Sequence, residues 1–465
     1  MTDFALHPAT RLDLATLGKL LADRPRVVLS PEARQQIEAG HTHLRTSYSS
    51  DTTPEPTTRL LAYACGTGEE VPAEVVQLLL LLKAHSLSNE HSGVQVAAVQ
   101  RLLDFYNREM LPVVYQQGAT STEYQIPLAH LSLPLLGLGE VNFQGYRLQA
   151  ADAMHLFSWS AVALEPGEDL ALLSGTHFTL AYGVHTLLRA QRLAHAADVL
   201  GALSFEVLGG SRTPFDARLQ ALRPHTGQAF VAERLRNLLA DSELPRPLSA
   251  AEQLPYSLCG IPQVHGAVRD ALSHVAQVLE TECNSITTNL AFFPTDELTL
   301  QGGNFHDQPL ALVLDYLALT LAELGSMAER RTAQLLHHQP KLAGPASDLQ
   351  PVQQLTFSLV GQNKQLCAPA SLHTVYGSGL ADYVSLGANA AIKAKQVLEN
   401  TEQLFAIELL TAAQRLHTQR PARTTPALEQ VLEAFAAKVN PDQPPLAPYL
   451  ALQAALAFVR TYEWR

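Results

Sequence analysis

Leu310-Ala-Leu-Val-Leu-Asp-Tyr-Leu-Ala-Leu-Thr-Leu-Ala-Glu-Leu-Gly-Ser-Met327 carries apolar side chains on almost every face of a helix. A helix laid on a surface would show one apolar stripe, so this run reads as a helix packed on all sides inside a bundle. Helical periodicity recurs outward from it in both directions. One helix is expected to start near Pro72, a residue tolerated in the first turn, and to run through Val75, Val76 and the leucines 78–82. Others are expected over 94–110, 171–197, 263–289, 309–336, 352–366, 386–415, 427–439 and 449–462. Strand signals are few. Glu297-Leu-Thr-Leu300 before Gly302-Gly303 reads as half of a short hairpin, and 340–351 and 417–426 read as loops. There is no internal repeat and no low-complexity tract. The fold class is therefore all-α, an elongated helical bundle.

Composition narrows the function classes. Hydrophobic residues make up 47% of the 465 positions, ample for a large core, while charged residues reach only 16%. That is low against the usual quarter and points to surface hidden in an oligomer. A net charge of −12 excludes a basic stripe for nucleic acid. The leucine run ends at Lys83 and is too short to cross a bilayer, so no membrane partner is expected. Cys65, Cys259, Cys283 and Cys367 are scattered, with no paired spacing, and the first residues lack an apolar leader; a reduced, cytoplasmic setting is the expectation. No metal is expected, because His41-Thr-His43 and His337-His338 lack a third ligand at metal spacing. Gly66-Thr-Gly68 lacks the lysine of a phosphate loop, and no Gly-x-Ser-x-Gly elbow occurs.

Several motifs carry a family resemblance. They are Lys83-Ala-His-Ser-Leu-Ser88 with Ser92-Gly93, Pro127-Leu-Ala-His-Leu131, Leu172-Leu-Ser-Gly-Thr176 and Gly210-Ser-Arg-Thr-Pro-Phe-Asp-Ala-Arg218. Pro255-Tyr-Ser-Leu258, Pro262-Gln-Val264, Gly302-Gly-Asn-Phe-His306 and Ala322-Glu-Leu-Gly-Ser326 continue it. Over roughly residues 25 to 415 the chain resembles the histidine/aromatic amino acid ammonia-lyases. The resemblance implies an N-terminal portion, 1–190, holding the cofactor loop at about 118–130. It implies a central long-helix bundle with C-terminal helices over 191–465, and a homotetramer whose active sites each draw on three chains.

The same resemblance locates a missing part. The family builds its electrophile, a methylidene-imidazolone ring, from an Ala-Ser-Gly tripeptide just before Pro-Leu-Ala-His. Here those positions read Ser121-Thr122-Glu123. Ring closure needs the third residue's backbone nitrogen to attack the first residue's carbonyl, in a turn where glycine fits most easily. Glu123 puts a bulky charged side chain there, and Thr122 adds a β-branch. No methylidene-imidazolone cofactor is expected.

Other pocket positions have changed as well. Tyr48 stands where the family has a catalytic tyrosine, in a shortened loop without its glycines, and Ala62-Tyr63 replaces a Ser-His pair. Ser174 replaces an asparagine, Cys259 the arginine that holds the substrate carboxylate, and Ala381 a glutamate. Gln253, Tyr256, Asn304, Phe305 and His306 are retained, as are Asn363 and Lys364. A phenol can act as a base if its pKa falls, which makes Tyr48, Tyr63 and Tyr256 the candidate catalytic groups. Ser174, Gln253, Cys259, Asn304 and Phe305 are the candidate substrate-binding set. Without a bidentate guanidinium a free α-amino acid loses its main handle. The expected ligand is an amino-acid-derived small molecule with a masked carboxylate, or one tethered to a carrier.

Three functions remain open at this point. One is ring-free elimination, for which one branch of the family, expelling trimethylamine, offers precedent. The second is an inactive paralogue serving as a binding or partner subunit, in a homo-oligomer or with an active relative. The third is an ordinary ammonia-lyase with an unusual cofactor tripeptide.

Overall fold

The computed structural model describes residues 3–47, 55–120, 125–244, 254–337, 350–372, 382–439 and 448–464. Tyr48, Ser121, Thr122, Glu123, Gln253 and Ala381 lie outside them. The all-helical reading holds. The decisive run forms helix Gln308–His337, with Leu310, Leu314, Leu317, Leu321 and Leu324 fully buried. It passes a length-and-apolarity test for a membrane span, but 67% of its apolar window is buried within the chain's own fold.

Most of the other expected helices form with small shifts at their ends, where caps decide the boundary, but the one expected over 263–289 runs Ile261–Cys283 and stops six residues early. Pro72 is the N-cap of Ala73–Leu87 rather than its first residue. Thr425 caps Pro426–Ala436 by accepting the Leu428 N–H, which fixes the end of the 417–426 loop. Gln350–Leu366, Gly387–Thr418 and Pro448–Thr461 follow the expected periodicity. One expected helix, 171–197, is two: Glu168–Leu173 and His177–Leu208. Ser174 is extended and Gly175 has φ +114°, so the chain turns sharply between them. A Cβ at Gly175 would meet the His177 ring at 2.5 Å, so no other residue fits this corner.

Strands are short. The predicted half-hairpin is Leu298–Gln301, antiparallel to Leu290–Phe293 with Phe293 opposite Leu298. Phe4–Leu6 pairs in parallel with Val27–Leu29. Thr67–Glu70 pairs with Tyr115–Gln117, and Leu111–Pro112, Glu140–Phe143 and Tyr146–Gln149 form a third small sheet.

The chain divides into two compact units, and the division is not the expected cut at 190. One unit comprises Met1–His185, Ala276–Asp315 and Pro369–Ile392 and holds all four small sheets. The other comprises Thr186–Val275, Tyr316–Ala368 and Lys393–Arg465. Four of the breaks fall inside helices His177–Leu208, Ile261–Cys283, Gln308–His337 and Gly387–Thr418. A long helix can bury its two halves against different neighbours, so 191–465 does not make one contiguous body.

Candidate active site

In the first unit the corner at Ser174 organises the site. Lys83, fully buried near the end of helix Ala73–Leu87, donates from Nζ to the carbonyl oxygens of Ala171 (2.7 Å) and Ser174 (2.6 Å). These are the carbonyls that the short helix Glu168–Leu173 leaves without partners at its C-terminus. The Ser174 hydroxyl accepts the Asn289 N–H at 3.1 Å, and the residue is 2% exposed. Ser174 therefore ties two distant stretches of backbone together. Thr176 continues the corner, donating to Glu282 Oε1 at 2.6 Å and, from its N–H, to Thr287 at 3.3 Å.

The peptide that leads away from the missing tripeptide is fixed on the same corner. The Gln125 N–H donates to the Leu173 carbonyl at 2.9 Å, and helix Ile126–Ser132 starts directly after it. Leu60, Ala129, Leu133 and Leu173 form a buried cluster there, and Tyr63 packs against it, half-buried. Arg59 bridges to Asp169 at 2.6 Å, joining helix Pro56–Tyr63 to Glu168–Leu173. The structure thus brings Tyr63, the flank of the cofactor position and the Ser174 corner into one neighbourhood. His130 accepts the Gly66 N–H at 2.9 Å, and burial holds its imidazole below the usual range.

Burial pushes the basic groups next to this corner toward their neutral forms. Burial pushes the Lys83 ammonium down to about 7 and His85 down to about 4. His177 is driven well below its ordinary value by burial, with Lys83 and His85 adding like charge. The two carbonyls at the negative end of Glu168–Leu173 oppose the shift at Lys83. Sequence reading took Lys83 for the end of an apolar run; its role as a clamp needed the contact with Ala171 and Ser174. A lysine at the close of a buried leucine run was the available signal.

A linked expectation follows for Lys83. Below pH 7 folded and unfolded chains both hold its proton. Between 7 and 10.5 only the unfolded chain does, so stability climbs with pH through that window, by at most about 1.4 kcal/mol per unit. Lys83→Met leaves two buried carbonyls unpaired, at about 1–3 kcal/mol each. Urea unfolding at pH 7 and pH 9 should show the variant less stable, with the gap to wild type wider at pH 9. A gap that stays the same at the two pH values would show that Lys83 keeps its charge throughout.

The remaining predicted residues are more open. Asn304 is exposed, with Nδ2 3.5 Å from the Ile286 carbonyl; Phe305 is half-buried; His306 stacks on Tyr383 with centroids 5.4 Å apart. Tyr256 and Cys259 belong to the second unit, on the short helix Tyr256–Cys259. Tyr256 is 90% exposed on the single chain. Cys259 Sγ faces the Tyr256 carbonyl at 3.9 Å and supplies no cation. None of the four cysteines is in a disulfide, and among the described residues no group of three or more metal-ligating side chains occurs.

This corner, with Pro-Leu-Ala-His on one side and the Gly302-Gly-Asn-Phe-His306 segment following the hairpin, defines a lyase-type body. Residues 45–437 match the model of the aromatic amino acid lyase family, and the chain belongs to that family. It is 44% identical over 395 residues to a histidine ammonia-lyase of Symbiobacterium thermophilum, an alignment covering 82% of this chain and 78% of that one. It is 41% identical over 404 residues to a histidine ammonia-lyase of Deinococcus radiodurans, covering 83% and 76%. The crystal structure of histidine ammonia-lyase from Trypanosoma cruzi superposes with a TM-score of 0.90 at 29% identity, over 99% of this chain and 94% of that one.

Proposed function

We propose that this protein carries out elimination without a self-made electrophile, on an amino-acid-derived substrate whose carboxylate is masked or carried on a tether. Ser121-Thr122-Glu123 in the place of Ala-Ser-Gly is the observation that carries this reading. Those residues do not fit the ring. Cys259 in the place of the carboxylate-binding arginine supports the altered substrate. The relatives named histidine ammonia-lyases cleave a carbon–nitrogen bond, and the same bond is the proposed target here. A tyrosine takes the proton from the carbon next to the one that bears nitrogen. The C–H electron pair becomes the double bond, and the nitrogen leaves with the C–N pair. Without the ring, the leaving group must be intrinsically good, as a quaternary ammonium is, or the hydrogen must be acidified by an activated acyl group. Tyr63 is the base favoured by position, because it packs on the cluster that holds Leu173. Tyr48 and Tyr256 are the alternatives.

The test is a panel of amino acid thioesters, amides and betaines, assayed for alkene formation with wild type, Tyr63→Phe and Tyr256→Phe. The expected result is turnover of a masked substrate, with kcat reduced about 10²–10⁴-fold by loss of the base and the fold retained. No turnover across the panel would favour a second reading, an inactive paralogue acting as a partner subunit. Two observations lean that way: the Ser174 hydroxyl is committed to Asn289, and a stripe of Leu312, Tyr316 and Leu319 stands exposed along one helix. Such a stripe suits assembly into a homotetramer, or with an active relative, which co-purification and sedimentation would distinguish. The proposed setting is the cytoplasm, in keeping with four cysteines that form no disulfide.

A further inference from the structure

A cavity of about 400 Å³ opens in the first unit, where helices Ala73–Leu87 and Ile261–Cys283 both end and the N-terminal turn His7–Thr10 forms a rim. It contains none of the candidate catalytic or substrate-binding residues. Its volume suits a small metabolite. Asn284 builds one wall: it accepts the Leu12 N–H at 2.8 Å and donates to the Leu12 carbonyl at 3.0 Å, pinning the segment that carries Arg11 beside the cavity.

The chemistry of the lining has two poles. No aspartate or glutamate lines it, although the chain as a whole is acidic. Arg11 is its one permanent charge, and that guanidinium has no partner among the described residues. This pole calls for one carboxylate. Opposite in character are the hydroxyls of Ser88, Thr281 and Ser285. Each donates its proton to a helix carbonyl (Ala84, Gln277 and Thr281) and so keeps lone pairs for an outside donor. Two helix C-termini add partial negative charge at the same place. This pole calls for an ammonium. Ser86 lies in the wall between, 5% exposed, and its hydroxyl has no hydrogen-bond partner. A buried hydroxyl left unpaired in a polar cavity wall is a group waiting for a ligand.

We infer that this cavity is a binding site for a free, zwitterionic amino acid, distinct from the elimination site, with the carboxylate on Arg11 and the ammonium among Ser88, Thr281 and Ser285. It lies on the helix that holds Lys83, five residues or fewer away, and so a bound ligand would stiffen the support of the Ser174 corner.

Titration calorimetry on the full chain tests this with L-alanine and L-histidine, and with acetate and methylammonium as half-ligands. The expected result is binding of an amino acid, with acetate and methylammonium each weaker by about tenfold or more, since one pole alone is then engaged. Arg11→Ala should weaken amino acid binding by about tenfold or more without moving the ligand-free unfolding midpoint, and Arg11→Lys should restore part of it. Ser285→Ala should weaken it less. Binding that survives Arg11→Ala, acetate binding as tight as that of the amino acids, or no binding of either amino acid would overturn the inference.

Discussion

The purified chain should weigh what its sequence weighs, without the loss of two waters that ring formation entails, and it should release neither urocanate nor cinnamate from free histidine or phenylalanine. Three separate deficits predict this. Glu123 stands where backbone cyclisation needs glycine. Thr122 would have to dehydrate in place of a serine. Cys259, whose thiol faces a backbone carbonyl, cannot form the charge-assisted pair that holds a carboxylate, a contribution of about 1.5–3 kcal/mol. Removing even one preorganised electrostatic donor costs about 10²–10³ in kcat, and on the proposed reading the electrophile itself is lost. Intact-protein mass and an ultraviolet assay decide the matter. Ser121→Ala, Thr122→Ser and Glu123→Gly together should recover the two-water loss if the surrounding corner still supports the turn. Adding Cys259→Arg should then lower KM for a free amino acid. A wild-type chain already lighter by two waters would remove the basis of the proposed function.

The second large effect is on stability. In the second unit Arg331 and Glu408, both fully buried, form a two-pronged pair with N–O distances of 2.6 and 2.9 Å. Ser204 donates to the same carboxylate at 2.6 Å. On its other side Arg331 lies 3.3 Å from His265 Nε2, whose Nδ1 is 2.9 Å from Asp198. Arg269 and Arg234 close the ladder on Asp198, at 2.5 and 3.4 Å. Burial lowers the His265 pKa and keeps its imidazole neutral, so the ladder alternates charge with a neutral relay. Arg331→Met leaves the Glu408 charge without a counter-ion in a dry interior, at an expected cost of about 3–5 kcal/mol. Replacing both, Arg331→Met with Glu408→Leu, should return stability to within about 1–2 kcal/mol of wild type, because two desolvation penalties vanish together. Denaturant unfolding of the two singles and the double checks it. A double variant as unstable as the singles would mean that packing volume, not charge, dominates at this position.

Much of the fold was legible because its signals are local and periodic. The apolar run 310–327 forms helix Gln308–His337 as expected, but on the single chain it is not packed on every side: Leu310, Leu314, Leu317, Leu321 and Leu324 are buried while Leu312, Tyr316 and Leu319 are exposed. The site was legible in position through its motifs and illegible in wiring. Ser174 read as a ligand-facing residue, yet its hydroxyl meets Asn289, which is 115 residues away. Tyr256 read as pocket-lining and stands exposed on the single chain. Both depend on which distant or separate segment packs against them, which periodicity does not encode. The helix expected over 171–197 failed for a different reason. One glycine corner outweighed a run of good helix formers, because a sharp turn at positive φ sets the chain's path regardless of its neighbours' propensities.

Order and chemistry of the residues were enough to establish a helical lyase body and the family it belongs to. Those follow from spacing and residue type, which do not depend on what lies across the core. Tertiary structure alone decided that Lys83 clamps the Ser174 corner, that a charge ladder threads the second unit, and that Arg11 faces a cavity at the ends of two helices. Each of these joins groups far apart in the chain. Whether a buried charge is a penalty or a fastening depends on the partner that folding brings to it.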